Sequence, residues 1–359
     1  MNFIFKALLV LSLVMLILLI SFLVLGFESF VWPGLMVFFL SVSGGVRIHR
    51  NSKGFSFSLL VFAAVAAALG YPGVFISWGR FETTNLIVPL LQIIMFGMGT
   101  AMSMADFGAV VRNPRAVMIG LICQFTIMPM MGALLIMVFD FPPEIAAGII
   151  LVGASPSGLA SNVMAYIGKA NLALSVTLTT VSTLLAPLIT PVWMKVLGDQ
   201  LVPIDFWAMM WGIVKITIIP IMAGLIFNRL LHGKTKWLDR AMPLVSMGGI
   251  AMIITIITAA GRDNLLSVGG LLILASLIHN LSGYLLGFWS CRMLGLDVRS
   301  CRTIAFEVGM QNAGLASGLA LLMGKVATVG LAPAVFGPMM NITGSSLAIW
   351  WRDRTVESD

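Results

Sequence analysis

Apolar runs of helix length alternate with short polar connections along nearly the whole chain. A helix crosses the hydrocarbon layer in about 20 apolar residues. By that measure the pattern predicts about twelve spans, near residues 3–25, 29–46, 55–79, 84–104, 116–138, 145–167, 172–196, 206–227, 241–260, 265–290, 303–323 and 327–350. The longest connections run to about a dozen residues, which leaves no room for a soluble domain. The opening run after Lys6 exceeds the roughly 7–15 apolar residues of a signal peptide, and no A-x-A-like site follows it, so a retained helix is expected.

Two runs depart from the pattern. In "GASPSGLASNVMAYIGKANLALSVTLTT" (153–180), Pro156, Ser157 and Gly158 fall mid-span, and in "FEVGMQNAGLASG" (306–318) a carboxylate and two amides sit among glycines. Proline and glycine loosen the backbone ladder, and freed carbonyls at membrane depth are tolerated only where they line an enclosed cavity. Both spans are therefore expected to be broken helices, and matching breaks in two halves of a chain point to a binding site.

Composition removes several alternatives. Of 359 residues, 59% are hydrophobic and 10% charged, with a mean hydropathy of +1.05, so the fold class is an all-α polytopic membrane protein. The net charge of +7 does not form a face for nucleic acid. It sits at Arg47, Arg50 and Lys53; Arg112 and Arg115; Lys169; Arg229, Lys234, Lys236 and Arg240; Arg292, Arg299 and Arg302; and Arg352 and Arg354. These are alternate connections, which share one side, and the positive-inside rule makes that side the cytoplasm. The opposite connections, "DFPPE" (140–144), "GDQLVPID" (198–205) and "GRDNLL" (261–266), are acidic or mixed. The chain is then a multi-pass protein of the cell (inner) membrane, its apolar faces against lipid and both termini cytoplasmic. Cys123, Cys291 and Cys301 are too few and scattered for a disulfide framework or a metal site.

A repeat is visible in the last ten spans. "LICQFTIMPMMGALL" (121–135) resembles "LIHNLSGYLLGFW" (277–289), with Gln124 and Asn280 at like positions, and each amide is followed by a polar pair in a Gly-rich span, Ser161-Asn162 and then Gln311-Asn312. Five spans separate the copies, and an odd number reverses orientation, as in an inverted-topology repeat.

The chemistry centres on Glu307. An ionisable group mid-span costs on the order of 2.5–3.5 kcal/mol and calls for a partner or polar cavity. A sodium ion would be such a partner. Hard oxygen ligands are at hand: the Glu307 carboxylate, the amides of Gln124, Asn162 and Gln311, the hydroxyls of Ser161, Ser175 and Thr179, and the loosened backbone at Val308 and Met310. Ser175 and Thr179 are four apart and share a helix face. A lone Ser or Thr in a membrane helix commonly bonds its own backbone, and buried amides and glycines commonly serve helix packing; a carboxylate has no such bland role. Asn312 completes the polar lining. Lys215 is expected to snorkel to the outer interface, and His279 to be a hydrogen-bonded packing residue.

With these residues in view, the chain resembles the bile acid:sodium symporter family, in particular its bacterial ten-helix members. The resemblance covers about residues 54–352 and rests on "LICQFTIMP", "PSGLASNVMAYIGKANLALSVTLTT", "FEVGMQNAGLA" and "NITGSSLAIWW". It implies two inverted five-helix repeats (53–200 and 201–352 of a transporter unit, 53–359), arranged as panel and core domains with broken helices crossing near two sodium sites. Residues 1–52 fall outside it and form an added N-terminal transmembrane hairpin. One implied site uses Ser161, Asn162, Ser175, Thr179 and Glu307; the other uses Gln124, Glu307, Val308, Met310 and Gln311, valine and methionine through their carbonyls. The substrate cavity would be lined by Asn312, Asn341, Leu159 and Met340. Leu159 stands where relatives commonly have Thr, and Met340 where they commonly have His, so the substrate class is kept broad: an organic anion, bile acid-like or a small carboxylate such as pantoate.

The expected function is sodium-coupled symport of that anion. A proton-coupled transporter on the same fold, with Glu307 titrating, and a non-transporting membrane sensor remain as alternatives. An intramembrane enzyme is not expected: the sequence has no paired intramembrane aspartates, no Ser nucleophile with a matching His, and no H-E-x-x-H.

Overall fold

The computed structural model describes residues 3–48, 53–102, 113–231 and 236–354. Arg50, Arg112 and Lys234 lie outside these residues, as does the 49–52 link where the N-terminal hairpin was expected to end.

Every predicted span contains helix. The first two are α1 (Phe3–Val24) and α2 (Glu28–Ile48), and α2 packs on α3 (Lys53–Gly70). A buried polar tie joins them, with the Ser43 hydroxyl donating to the Ser56 carbonyl at 2.9 Å. The span expected at 55–79 ends early, at Gly70, because Tyr71 precedes Pro72 and takes a non-helical backbone (φ −131°). The rest of that stretch folds as the short helix α4 (Pro72–Ile76) and a hairpin of β1 (Ser77–Trp78) and β2 (Phe81–Glu82), which pairs Ser77 with Glu82 and Trp78 with Phe81. A turn of 3-10 helix (Thr83–Leu86) leads into α5 (Ile87–Ala101).

The remaining helices are α6 (Pro114–Val138), α7 (Pro143–Ala154), α8 (Ala160–Ile167), α9 (Leu172–Trp193), α10 (Phe206–Ile213), α11 (Ile219–Leu231), α12 (Lys236–Ala260), α13 (Arg262–Met293), α14 (Val298–Gly309), α15 (Ala313–Leu322) and α16 (Leu331–Arg352). A π-turn (Val214–Ile218) joins α10 to α11. Several starts are written locally: the side chains of Asn171, Asp205, Asp297 and Asn312 each accept a hydrogen bond from the backbone N–H three residues on. Among the described residues, seven continuous helical stretches are long and apolar enough to cross a membrane.

Two groups of helices result. The helices α3, α5, α11 and α12 pack against one another, with α1 and α2 outside α3. The second group holds α6 to α9 and α13 to α16. The groups meet where α16 touches α3 and α12, and where α15 touches α5. Cys123, Cys291 and Cys301 are free, buried thiols in the second group.

Candidate functional site

Both interrupted spans break where the sequence loosens. The first stops at Ala154 and restarts at Ala160, across Pro156 and Gly158; the second stops at Gly309 and restarts at Ala313. The two breaks lie against each other and hydrogen-bond as an antiparallel bridge between Ser157 and Gln311. The Gly158 N–H donates to the Met310 carbonyl at 2.9 Å, and the Asn312 N–H donates to the Pro156 carbonyl at 2.8 Å. The backbone groups released by one break are thus satisfied by the other. A side chain at position 158 would not fit, since its Cβ would lie 2.8 Å from the Gln311 carbonyl oxygen. The negative ends of α7 and α14 and the positive ends of α8 and α15 all converge at this crossing.

All five residues of the first expected set come together here. Glu307, 1% exposed, receives hydrogen bonds from Ser161 (2.6 Å) and Ser175 (2.5 Å) at Oε1 and from Thr179 (2.8 Å) at Oε2. The Asn162 Oδ1 lies 2.8 Å from the Ser175 hydroxyl and 3.2 Å from that of Thr179. The Ser161 hydroxyl also lies 2.8 Å from the Gly158 carbonyl. Each of these hydroxyls therefore faces two acceptors, but each carries one hydrogen. The cluster has more oxygen lone pairs than protons to fill them, which fits a hard cation with oxygen ligands.

The second expected set is joined through Gln311. Gln124 Nε2 donates to Gln311 Oε1 (2.8 Å) and to the Ser155 carbonyl (3.2 Å), while Gln311 Nε2 donates to the Val308 carbonyl (2.5 Å). The Oε1 of Gln124 is buried and has no hydrogen-bond partner, an orphan acceptor that a cation would satisfy. Glu307 makes no direct hydrogen bond to Gln124 or Gln311; its oxygens are taken up by the first set, and the sets connect along the backbone from 307 to 311. Among the described residues no three His, Cys, Asp or Glu side chains gather, so the donor chemistry is that of hydroxyls, amides, carbonyls and one carboxylate.

Comparison with known proteins gives this geometry its setting. The model of the Sodium Bile acid symporter family matches residues 88–268. The chain is 39% identical over 307 residues to the uncharacterized sodium-dependent transporter YocS of Bacillus subtilis (strain 168), covering 85% of this chain and 94% of that protein. The chain belongs to the sodium bile acid symporter family. It is also 33% identical to the probable sodium/metabolite cotransporter BASS1, chloroplastic, of Arabidopsis thaliana, over 76% of this chain and 68% of that one. The same identity, 33%, holds to the ileal sodium/bile acid cotransporter of Homo sapiens, over 67% and 70%. The family is one of transporters, not enzymes.

Beside the crossing, this family member holds a cavity of about 360 Å³ between the two helix groups. All four residues expected at the substrate, Leu159, Asn312, Met340 and Asn341, line it. Opposite them stand Phe57 and Val61 of α3, Leu91 of α5, and Ile250 and Ile254 of α12. Among the described residues the lining is mostly apolar and has no charged side chain; Gln311, Asn312, Ser317 and Asn341 supply its polar groups. Leu159 is 36% exposed, whereas Met340 is 6% exposed. The Asn341 Nδ2 donates back to the Gly337 carbonyl at 2.9 Å, within its own helix.

Some residues legible as polar in the sequence do other work. His279 sits 2.9 Å from the Met128 carbonyl through Nε2 and meets Phe336 edge-on, as a packing residue does. Lys215 is exposed on the π-turn. Sequence reasoning placed Ser157 at the break without counting it among the site's polar groups, and did not single out Ser155. The Ser157 hydroxyl lies 3.3 Å from that of Ser161 and 3.4 Å from the Met310 carbonyl, inside the crossing. Their place beside Pro156 was the available signal, but serines next to a break do not announce which partner they meet.

Proposed function

We propose that the protein is a sodium-coupled symporter of an organic anion, with two sodium sites at the crossing of the broken helices. Gln311 carries this reading: it pairs with Ser157 in the bridge, bonds Gln124 and the Val308 carbonyl, and lines the cavity. Cation ligands and cavity wall are therefore one continuous structure. Ser161, Asn162, Ser175, Thr179 and Glu307 would hold one sodium ion; Gln124, Gln311, Glu307 and the carbonyls of Val308 and Met310 would hold the other. Ser161, Ser175 and Thr179 all reach the Glu307 oxygens, so a cation held among these hydroxyls would lie against the carboxylate.

The substrate would be an anion with an apolar body. Among the described residues the cavity lining has no Lys, Arg or His to pair with it, so its charge would be balanced by the bound sodium ions and by the positive ends of α8 and α15. Leu159 and Met340 depart from the Thr and His commonly found there, so the substrate class stays an organic anion, bile acid-like or a small carboxylate such as pantoate.

In this reading residues 53–200 and 201–352 are inverted repeats, and 1–52 an added hairpin. Two matched contacts support the repeat: Gln124 on α6 donates to the Ser155 carbonyl at the end of α7, and Asn280 on α13 donates to the Gly309 carbonyl at the end of α14. The group of α3, α5, α11 and α12 would be the panel, and that of α6 to α9 and α13 to α16 the core. Rocking of one against the other would alternate access to the cavity, with both termini in the cytoplasm and the chain in the inner membrane. Uptake of radiolabelled bile acids and of pantoate into proteoliposomes, with a sodium or a choline gradient at fixed pH, tests the proposal. Uptake equal in the two buffers would assign the coupling to protons, and no accumulation of any anion would favour a sensor.

A further inference from the structure

The chain Asn280–Thr343–Tyr284, buried at Asn280 and Tyr284 and half-buried at Thr343, belongs to neither ligand set and joins the crossing to the cavity wall. Asn280, fully buried on α13, donates through Nδ2 to the Gly309 carbonyl at 2.8 Å and accepts at Oδ1 from the Thr343 hydroxyl at 2.5 Å. The Tyr284 hydroxyl lies 3.3 Å from the Thr343 Oγ1 and 3.2 Å from the Met340 carbonyl. Gly309 stands between Val308 and Met310, whose carbonyls are proposed cation ligands. Met340 and Asn341, in the turn of α16 before Thr343, line the cavity. A hydrogen-bonded path thus runs from the end of α14 to the cavity wall on α16.

Close packing makes this path stiff. A Cβ on Gly309 would fall 2.2 Å from the Tyr284 ring, and one on Gly344 would fall 2.9 Å from the Met310 sulfur and 3.1 Å from the Tyr284 hydroxyl oxygen. The backbone at 309 and 344 is therefore held directly against Tyr284 and Met310. A shift of the 308–310 carbonyls cannot occur without moving Asn280, Tyr284 or α16. Asn280 occupies the position that matches Gln124 in the other half, but both of its amide groups are bonded, whereas Gln124 keeps a free acceptor. One half uses its amide toward the cation; the other uses it as a linkage.

We propose that Asn280, Thr343 and Tyr284 are positioning residues that couple sodium binding to the shape of the substrate cavity. The inference rests on the symport reading and adds the linkage between its two sites. The purified full chain carrying Asn341→Cys on the cavity wall is labelled with a maleimide, with sodium or choline, and sodium binding is followed separately by calorimetry. With the linkage intact, sodium should change the labelling rate by about fivefold or more, as ordinary coupling free energies do. In Thr343→Val and Tyr284→Phe, sodium should still bind within about threefold of the parent affinity, but the labelling rate should no longer respond to it. Thr343→Ser, which keeps the hydroxyl, should restore the response. Labelling that responds to sodium equally in Thr343→Val and the parent overturns the linkage while leaving symport standing. Absence of sodium binding in the parent itself overturns both. Folding is checked by size-exclusion chromatography, and Tyr284→Phe, which removes one oxygen, serves if Thr343→Val does not fold.

Discussion

Ser157 and Gln311, from opposite halves of the chain, pair as an antiparallel bridge where two broken helices cross. The bridge solves a problem of solvent. At membrane depth an interrupted helix leaves backbone groups without water, and here each interruption supplies the partners of the other. The polar ring so enclosed then has room for one carboxylate, Glu307, surrounded by hydroxyls.

Removing the charge should end coupling. Glu307→Ala and Gln311→Ala are expected to reduce sodium-driven uptake in proteoliposomes to background, while the protein still inserts and elutes as a folded species. Full uptake by Glu307→Ala in sodium medium would refute the role given to that carboxylate.

Gln124 offers a sharper test, because its Oε1 is buried and unpaired without a cation. Gln124→Leu should raise the sodium concentration for half-maximal uptake by about tenfold, equivalent to about 1.4 kcal/mol. An unchanged sodium dependence would mean that this oxygen is not a ligand.

The crossing also depends on the absence of a side chain at Gly158. Gly158→Ala should force the Gln311 backbone away and destabilise the protein by about 1–3 kcal/mol, as overpacking does. Gly73→Ala is the control, since nothing lies within 4 Å of a Cβ there. Thermal melts in detergent should separate the two variants, and equal melting would show that the bridge tolerates the added methyl.

A pH effect is expected away from the crossing. At the start of α7, Glu144 pairs with Lys325 and accepts a hydrogen bond from Thr328 at 2.5 Å. The Lys325 ammonium, then the Thr328 hydroxyl, hold its carboxyl below the usual value. A lowered folded-state pKa means that the pair's stabilisation is present above the ordinary carboxylate range, about pH 4, and is lost as pH falls through the lower folded-state value. The pair is partly exposed, so the effect should be small. Melting curves at pH 7 and below pH 4 should show a smaller pH-dependent drop for Glu144→Gln than for the parent; equal drops would mean the pair is silent.

Much of this was legible in the chain. The apolar runs located every helix-bearing span, since membrane helices must satisfy all backbone groups within themselves and so announce their length. Pro156, Gly158 and the "EVGMQN" stretch marked both breaks, and the price of a mid-span carboxylate singled out Glu307. One boundary was misread: hydropathy carried the third span to 79, but Tyr71-Pro72 ended the helix at Gly70 because local backbone sterics overrule apolar character.

What the sequence by itself determined, then, was the class of protein, the places where helices break and the oxygen-bearing side chains near them. Only the tertiary structure decided which of these meet. It set Ser161, Ser175 and Thr179 on the Glu307 oxygens, left the Gln124 Oε1 unpaired, and tied Asn280 through Thr343 to the cavity wall. The physical reason is range: hydropathy and backbone breaks are properties of neighbours along the chain, whereas the bridge that sets Ser157 opposite Gln311, through the bonds from Gly158 to Met310 and from Asn312 to Pro156, depends on how two helices far apart in sequence are brought across each other.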